Sequence, residues 1–297
     1  EAYDRALALN PTDTETLVNR GITLDCLGRH EEALEVYEAA MRLDPLNDEA
    51  LFNRGVTLER MDRLPEAVAA FEQCADMNDE HPEVWYELGF CYDRMGEDAR
   101  SIECYDRHLD TDPYSHDAWY NRGIVLNRMG RYKDAVDSYD MAIAIHDDFA
   151  SAYYNRGNAQ ANMGELYGAI ESYQRVIELE GGDAATYYNL ALAYEELQAY
   201  DLAVSYFERA LQEDEDYAEA WYGLGCCYDA QERHDEALAF FKRAIALNPA
   251  VAEFWYARAD CEYNAGHVKA SLASYRKVVQ LEPANREAWL DYAETLF

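Results

Sequence analysis

Lysine is nearly absent from this chain of 297 residues: Lys133, Lys242, Lys269 and Lys277 stand against 21 arginines. The 25 basic residues face 59 acidic ones, a formal net charge of −34. Such a charge repels a nucleic-acid backbone instead of releasing its counterions, and it repels anionic membrane surfaces as well. No nucleic-acid partner is expected. Long apolar runs are also missing. None reaches the ~18 residues a spanning helix needs, so no membrane insertion is expected. The seven cysteines are odd in number, contain no CxxC pair, and sit in a chain long enough to need no staples. A reducing, cytoplasmic setting is the expectation.

Catalytic patterns are missing too. No Gly-Lys pair occurs, which removes the usual phosphate-binding loop. Histidines 30, 81, 108, 116, 146, 234 and 267 include no two spaced four apart, so no helix face offers a metalloprotease-type ligand pair. The carboxylates are numerous, but nothing in the sequence marks one as buried with a raised pKa. No catalytic residue, metal or cofactor is assigned, and a non-enzymatic protein is expected. The acid excess fits either adaptation to high salt, where dense carboxylates hold water, or attraction to a cationic ligand.

What is present is periodic. Trp85, Trp119, Trp221, Trp255 and Trp289 lie 34, 102, 34 and 34 residues apart. With that 34-residue period the whole chain reads as a single array: 1–13 as the end of a preceding unit, 14–285 as eight full units, and 286–297 as the start of a further one. Gly21, Gly55, Gly89, Gly123, Gly157 and Gly225 share the eighth place, and Gly28, Gly96, Gly130, Gly164 and Gly266 share the fifteenth. Pro11, Pro45, Pro113, Pro249 and Pro283 share place 32.

Between these breakers, segments such as 116–129 and 132–145 place apolar residues at helical spacing, so each unit is predicted to be a helical hairpin. Glycine at place 8 and alanine at place 20 (Ala33, Ala67, Ala135, Ala169, Ala203, Ala237) let the two helices approach. An unbroken aromatic column at place 24 fills the adjoining space: Tyr3, Tyr37, Phe71, Tyr105, Tyr139, Tyr173, Phe207, Phe241 and Tyr275. Glycine at place 15 is expected to end the first helix in a left-handed conformation, and proline at place 32 to stop the second. Cys91, Cys227 and Cys261, all at place 10, read as core filling. A lone hairpin cannot bury both faces, so the units must stack.

The unit Ala218 to Val251, AEAWYGLGCCYDAQERHDEALAFFKRAIALNPAV, resembles a tetratricopeptide repeat at Trp221, Leu224, Gly225, Tyr228, Ala237, Phe241, Ala244 and Pro249. The resemblance extends over the whole chain. It implies an all-α fold, a right-handed α-solenoid of stacked antiparallel helix pairs, with first helices lining a concave groove and second helices facing outward. Several positions depart from the pattern. Asp79, Asp147, Gly181 and Glu215 replace the closing proline, which is expected to loosen those junctions. His108 replaces a small residue at place 27, and Gln160 and Glu262 put polar groups at the usually apolar place 11, where each needs a hydrogen-bond partner. Neither end carries a polar cap, so a fragment of a longer protein, or ends that stack on copies of themselves, is expected.

First-helix places 2, 5, 6, 9, 12 and 13 should face the groove. Place 5 carries Tyr86, Tyr120, Tyr154, Tyr188, Tyr222 and Tyr256, a stripe suited either to binding or to packing against the next unit. Place 6 carries Asn19, Asn53, Asn121, Asn155 and Asn189, with Glu87 interrupting. These amides could hold a peptide backbone or bridge neighbouring helices. Arg60, Arg94 and Arg128 repeat at place 13 beside Glu59, Asp93 and Asn127, and either fork onto a partner's carboxylates or pair between units. Arg20, Arg54, Arg122, Arg156 and Arg258 at place 7 read as architecture, with the stem packed and the head on solvent or an acid. The expected function is a protein-protein interaction scaffold that binds a partner peptide or domain in the groove. Alternatives are a targeting or regulatory region of a larger enzyme, or a structural module that self-associates head to tail.

Overall fold

The computed structural model describes residues 2–79 and 81–296. Glu1 and Phe297, which belong to the two stretches read as partial units, lie outside the described residues. The chain divides into two compact units, Glu1–Asp147 and Asp148–Phe297. The first holds α1 (Ala2–Leu9), α2 (Thr14–Cys26), α3 (His30–Leu43), α4 (Asp48–Arg60), α5 (Leu64–Met77), α6 (Val84–Arg94), α7 (Asp98–Thr111), α8 (His116–Arg128) and α9 (Tyr132–Ile145). The second holds α10 (Ala150–Asn162), α11 (Leu166–Glu180), α12 (Ala184–Glu196), α13 (Tyr200–Glu213), α14 (Ala218–Ala230), α15 (His234–Leu247), α16 (Ala252–Asn264), α17 (Val268–Leu281) and α18 (Arg286–Glu294). Each unit is a stack of helix pairs in which every helix packs on its chain neighbours. No described helix is long and apolar enough to cross a membrane.

The hairpins close on the aromatic column. Tyr37, Phe71, Tyr105, Tyr139, Phe207 and Phe241 are at most 1% exposed, and each lies against a small residue of its partner helix. A Cβ placed on Gly225 would stand 2.4 Å from the Phe241 ring, and one on Gly21 would stand 2.3 Å from Tyr37, so the ring occupies the volume a side chain would need. The connecting turn is equally regular. Gly28, Gly96, Gly130, Gly164 and Gly266 have φ between 73° and 77°, and the amide after the first of them, that of Arg29, bonds back to the Leu24 carbonyl at 2.9 Å. Asp62, Gln198 and Glu232 hold the same place without glycine at φ 57° to 61°. The antiparallel packing of the flanking helices imposes that conformation whatever the residue.

The junctions between hairpins differ from expectation. α5 and α13 end at the same place as helices followed by proline, although Asp79 and Glu215 stand where proline is absent. α9 likewise ends at that place, at Ile145, with Asp147 for the proline and Tyr153 where other units carry tryptophan. The helix end therefore depends on neither residue, and the tryptophan column adds a further bond where it is present. Each indole Nε1–H donates to the place-32 carbonyl six residues upstream: Trp85 to Asp79 (3.0 Å), Trp119 to Pro113 (3.0 Å), Trp221 to Glu215 (2.8 Å), Trp255 to Pro249 (3.0 Å) and Trp289 to Pro283 (3.0 Å). The bond needs only a carbonyl, so it forms with proline or without it. Only at Gly181 does the helix change, α11 running one residue further to Glu180. His108 is buried, and its Nδ1–H donates to the Pro82 carbonyl at 3.1 Å. The helix beginning nearby, α6, starts at Val84, two residues later in its unit than the other first helices.

The polar groups at place 11 do find partners. Ser172 Oγ donates to Gln160 Oε1 at 2.8 Å, and Glu262 accepts from Ser274 Oγ at 2.7 Å and from Arg258 Nε at 2.8 Å. Arg156 Nε in turn donates to Ser172 Oγ (3.0 Å), and Arg122 reaches both Asp106 (2.6 Å) and Ser138 (2.6 Å). Place-7 arginines thus lay their stems along the hairpin and bring their heads to a polar partner.

Candidate functional site

Within the first unit α2 touches α4, α4 touches α6, and α6 touches α8, while in the second α10, α12, α14 and α16 touch in the same succession. Among the described residues, successive second helices make no comparable contact. The first helices therefore stand on the inner side of each unit's bend. Their shared face is where the sequence placed the candidate residues.

The tyrosine stripe is half-buried. Each ring lies against the place-24 ring of its own hairpin, with centroids 5.9 Å apart for Tyr86 and Tyr105, 6.0 Å for Tyr120 and Tyr139, 6.0 Å for Tyr154 and Tyr173, 5.8 Å for Tyr188 and Phe207, 5.9 Å for Tyr222 and Phe241, and 5.8 Å for Tyr256 and Tyr275. Their hydroxyls meet the next hairpin. Asn121 Nδ2 donates to Tyr86 Oη at 3.1 Å, Asn189 Nδ2 donates to Tyr154 Oη at 2.9 Å, and Tyr256 Oη bonds Asp291. Tyr222 Oη donates to Glu253 Oε1 at 3.2 Å. Asn53 instead donates to the Glu49 carbonyl of its own helix at 2.8 Å. Asn155 is half-buried on α10 and has partners of its own.

The arginine column is consumed by acids of the preceding hairpin. Arg60 pairs with Asp25, Arg94 with Glu59 (3.4 Å) and Asp62 (2.6 Å), and Arg128 with Asp93 (2.6 Å) and Asp98 (2.5 Å). In the first unit the place-12 acids Asp25, Glu59 and Asp93 are thus each paired with an arginine, whereas Glu87 at place 6 has no such pair among the described residues. That carboxyl is pushed up to about 7 by burial, with Glu59 and Glu83 adding to the effect and Arg60 opposing it.

The second unit is different in kind. Its places 12 and 13 read Ala161, Asn162, Glu195, Glu196, Asp229, Ala230, Tyr263 and Asn264, with no arginine or lysine among them. Glu195 on α12 has no hydrogen-bond or ion-pair partner among the described residues, and burial alone pushes it up to about 7. Its field reaches Tyr188, Cys226 and Cys227. Cys226 is itself raised to about 12, first by burial, with Glu195, Glu253 and Asp229 adding to it. Asp260 is raised by burial against a hydrogen bond from Tyr275, with Asp291 and Asp229 nearby. Sequence reasoning missed this carboxylate set. The place-2 column would have pointed to part of it, since Glu15, Glu49, Glu83, Asp117, Glu219, Glu253 and Glu287 recur there.

Family comparison agrees with the repeat geometry. Models described as tetratricopeptide repeat match residues 2–35, 52–116, 150–183, 194–261 and 241–285, and one described as TPR repeat matches 27–62 and 125–164. The chain belongs to the tetratricopeptide repeat family. Among solved structures, the C-terminal part of a tetratricopeptide repeat protein from Cytophaga hutchinsonii is 18% identical, with a TM-score of 0.67 over 83% of this chain and 99% of that one. A MamA structure is 29% identical, with a TM-score of 0.53 over 56% and 96% of the two chains. YrrB, described as a tetratricopeptide repeat protein with an unusual peptide-binding site, is 20% identical, with a TM-score of 0.54 over 65% and 99%. A search of curated proteins finds no match.

Glu195 makes a prediction about stability. Its folded-state pKa, about 7, lies above the ordinary value of 4.5, so the folded protein holds the proton more tightly than the unfolded chain does. Stability is therefore highest below the unfolded value and falls as pH rises through 7. The full shift corresponds to about 3 kcal/mol, and solvent screening of a partly exposed group brings this to about 1–2 kcal/mol. Glu195→Gln should be more stable than the parent by that amount in urea titrations at pH 8, and equal to it at pH 4.5. A constant difference at both pH values would show that the carboxyl is not desolvated.

Proposed function

We propose that this protein is a non-catalytic scaffold whose second unit, 148–297, holds an extended basic polypeptide on the inner face of its first helices. Tetratricopeptide repeat proteins generally serve as scaffolds for protein-protein interaction. The observation that carries the finer reading is that this face offers carboxylates without a basic residue in its place-12 and place-13 columns, and that Glu195 is half-buried without a partner. A lysine or arginine side chain of a partner would supply the missing charge and restore the carboxylate form. Tyr188, Tyr222 and Tyr256 supply rigid apolar area beside it at small entropic cost. Asn121, Asn189 and the three arginines of the first unit act chiefly between hairpins in this reading.

Fluorescence polarisation of labelled peptides tests it. An Arg- and Lys-rich peptide should bind, and an Asp- and Glu-rich peptide of the same length should not. Affinity should weaken as salt rises. It should also weaken as pH falls through 7, where Glu195 takes up a proton and stops attracting the cation. Glu195→Gln should weaken binding about tenfold at pH 8 and remove most of the pH dependence around 7. Equal binding of the acidic and basic peptides, or a Glu195→Gln variant that binds as the parent does, would overturn the proposal.

A further inference from the structure

Three ligand-bearing side chains from three helices meet at the turn joining α14 and α15. Asp229 lies at the end of α14, His234 opens α15, and Cys261 comes from the middle of α16. One ligand atom of each lies within 4.8 Å of the others. His234 Nδ1 is 2.7 Å from Asp229 Oδ1, and the Cys261 thiol points to the His234 carbonyl at 3.5 Å. We propose that Asp229, His234 and Cys261 bind a divalent transition-metal ion, with Zn2+ the best match.

The donor set argues for that class of ion. A thiolate, an imidazole and a carboxylate are the side chains that hold zinc, and three of them leave a fourth tetrahedral position for water. With the thiol proton released to solvent, the ligands carry two negative charges and neutralise the ion. The surroundings favour a cation further. Asp235 and Glu262 lie in the field of Cys261, and Asp260 lies in that of Asp229. The basic residue of this turn, Arg233, is committed to Glu236 at 2.5 and 2.8 Å. Glu262 is committed to Arg258 and Ser274.

The first unit supplies an internal comparison. Asp25 and His30 occupy the same two places, with the same 2.7 Å separation. There the residue corresponding to Cys261 is Thr57, and Arg60 neutralises the aspartate. At Asp229 the residue corresponding to Arg60 is Asn264, which brings no charge. One hairpin thus satisfies its aspartate with an arginine, while the other has exchanged that arginine for a neutral side chain and gained a thiol. Histidine spacing along the sequence does not expose this set, because its members come from three helices and Cys261 lies 27 residues beyond His234.

Cobalt(II) titrated into the reduced full chain tests the site. A near-ultraviolet charge-transfer band of a cobalt thiolate should appear and saturate at a single equivalent, and added Zn2+ should abolish it. Cys261→Ser should lose the band. His234→Gln should weaken cobalt binding by more than the roughly 10- to 100-fold that loss of an outer partner costs. His30→Gln and Cys226→Ser should bind as the parent does, and unchanged circular dichroism should show that each variant is folded. Absence of a thiolate band in the parent would overturn the proposal, as would a band that survives Cys261→Ser or disappears in His30→Gln.

Discussion

Phe241→Ala should lower the stability of the second unit by about 3–5 kcal/mol, the range for emptying a buried aromatic site. The ring is 1% exposed and lies between α14 and α15, on the residue that has no side chain, Gly225. Tyr222 covers one side with ring centroids 5.9 Å apart. Ala237 and Cys261, both fully buried, belong to the same cluster. The site collapses poorly, because the wall formed by Gly225 is helical backbone and cannot move in to fill the cavity. Phe241→Leu, which keeps most of the volume, should cost about 1–2 kcal/mol. Urea unfolding followed by far-ultraviolet circular dichroism measures both. In a stack where each hairpin touches only its neighbours, damage in one place uncouples the array, so the alanine variant should also show a broader transition than the parent. A loss below about 1 kcal/mol for alanine would mean that the place-24 column is not what closes the hairpins.

The fold was legible because the same physical demand recurs in each hairpin and is met by the same residue type. Tryptophan, glycine and proline fall in register, and the register alone located the helices. What escaped were demands met by different residues. Asp62, Gln198 and Glu232 take the left-handed turn without glycine, since the flanking helices impose it. At Asp79 and Glu215, where proline is absent, an indole six residues downstream bonds the backbone carbonyl. The tyrosine and asparagine columns were visible as columns, but the pairing of Asn121 with Tyr86, and of Asn189 with Tyr154, appears only when adjacent hairpins are stacked with their offset. Glu195 was one acid among 59. Nothing local distinguishes it, because its burial is produced by side chains from neighbouring helices.

Arg258→Met should be nearly as damaging as the loss of Phe241, at about 3–5 kcal/mol, although it removes a residue of the inner helix that fills no core volume. Its partner Glu262 is a carboxylate whose side chain is only 4% exposed, held by Arg258 Nε at 2.8 Å and Ser274 Oγ at 2.7 Å. Methionine keeps the packed stem but strands the buried charge on a single hydroxyl. The pair as a whole is a different matter. Leu24, Leu58 and Leu126 occupy the place of Glu262 elsewhere in the chain, and all are buried. The double variant Arg258→Met, Glu262→Leu should therefore recover most of the loss. Ser274 would then turn to its own helix, as Ser138 does in donating to the Asp134 carbonyl at 2.9 Å. Urea midpoints for the parent, both single variants and the double variant give the coupling between the two residues, expected at about 2–3 kcal/mol. A double variant no more stable than Arg258→Met would show that the arginine acts through contacts other than Glu262.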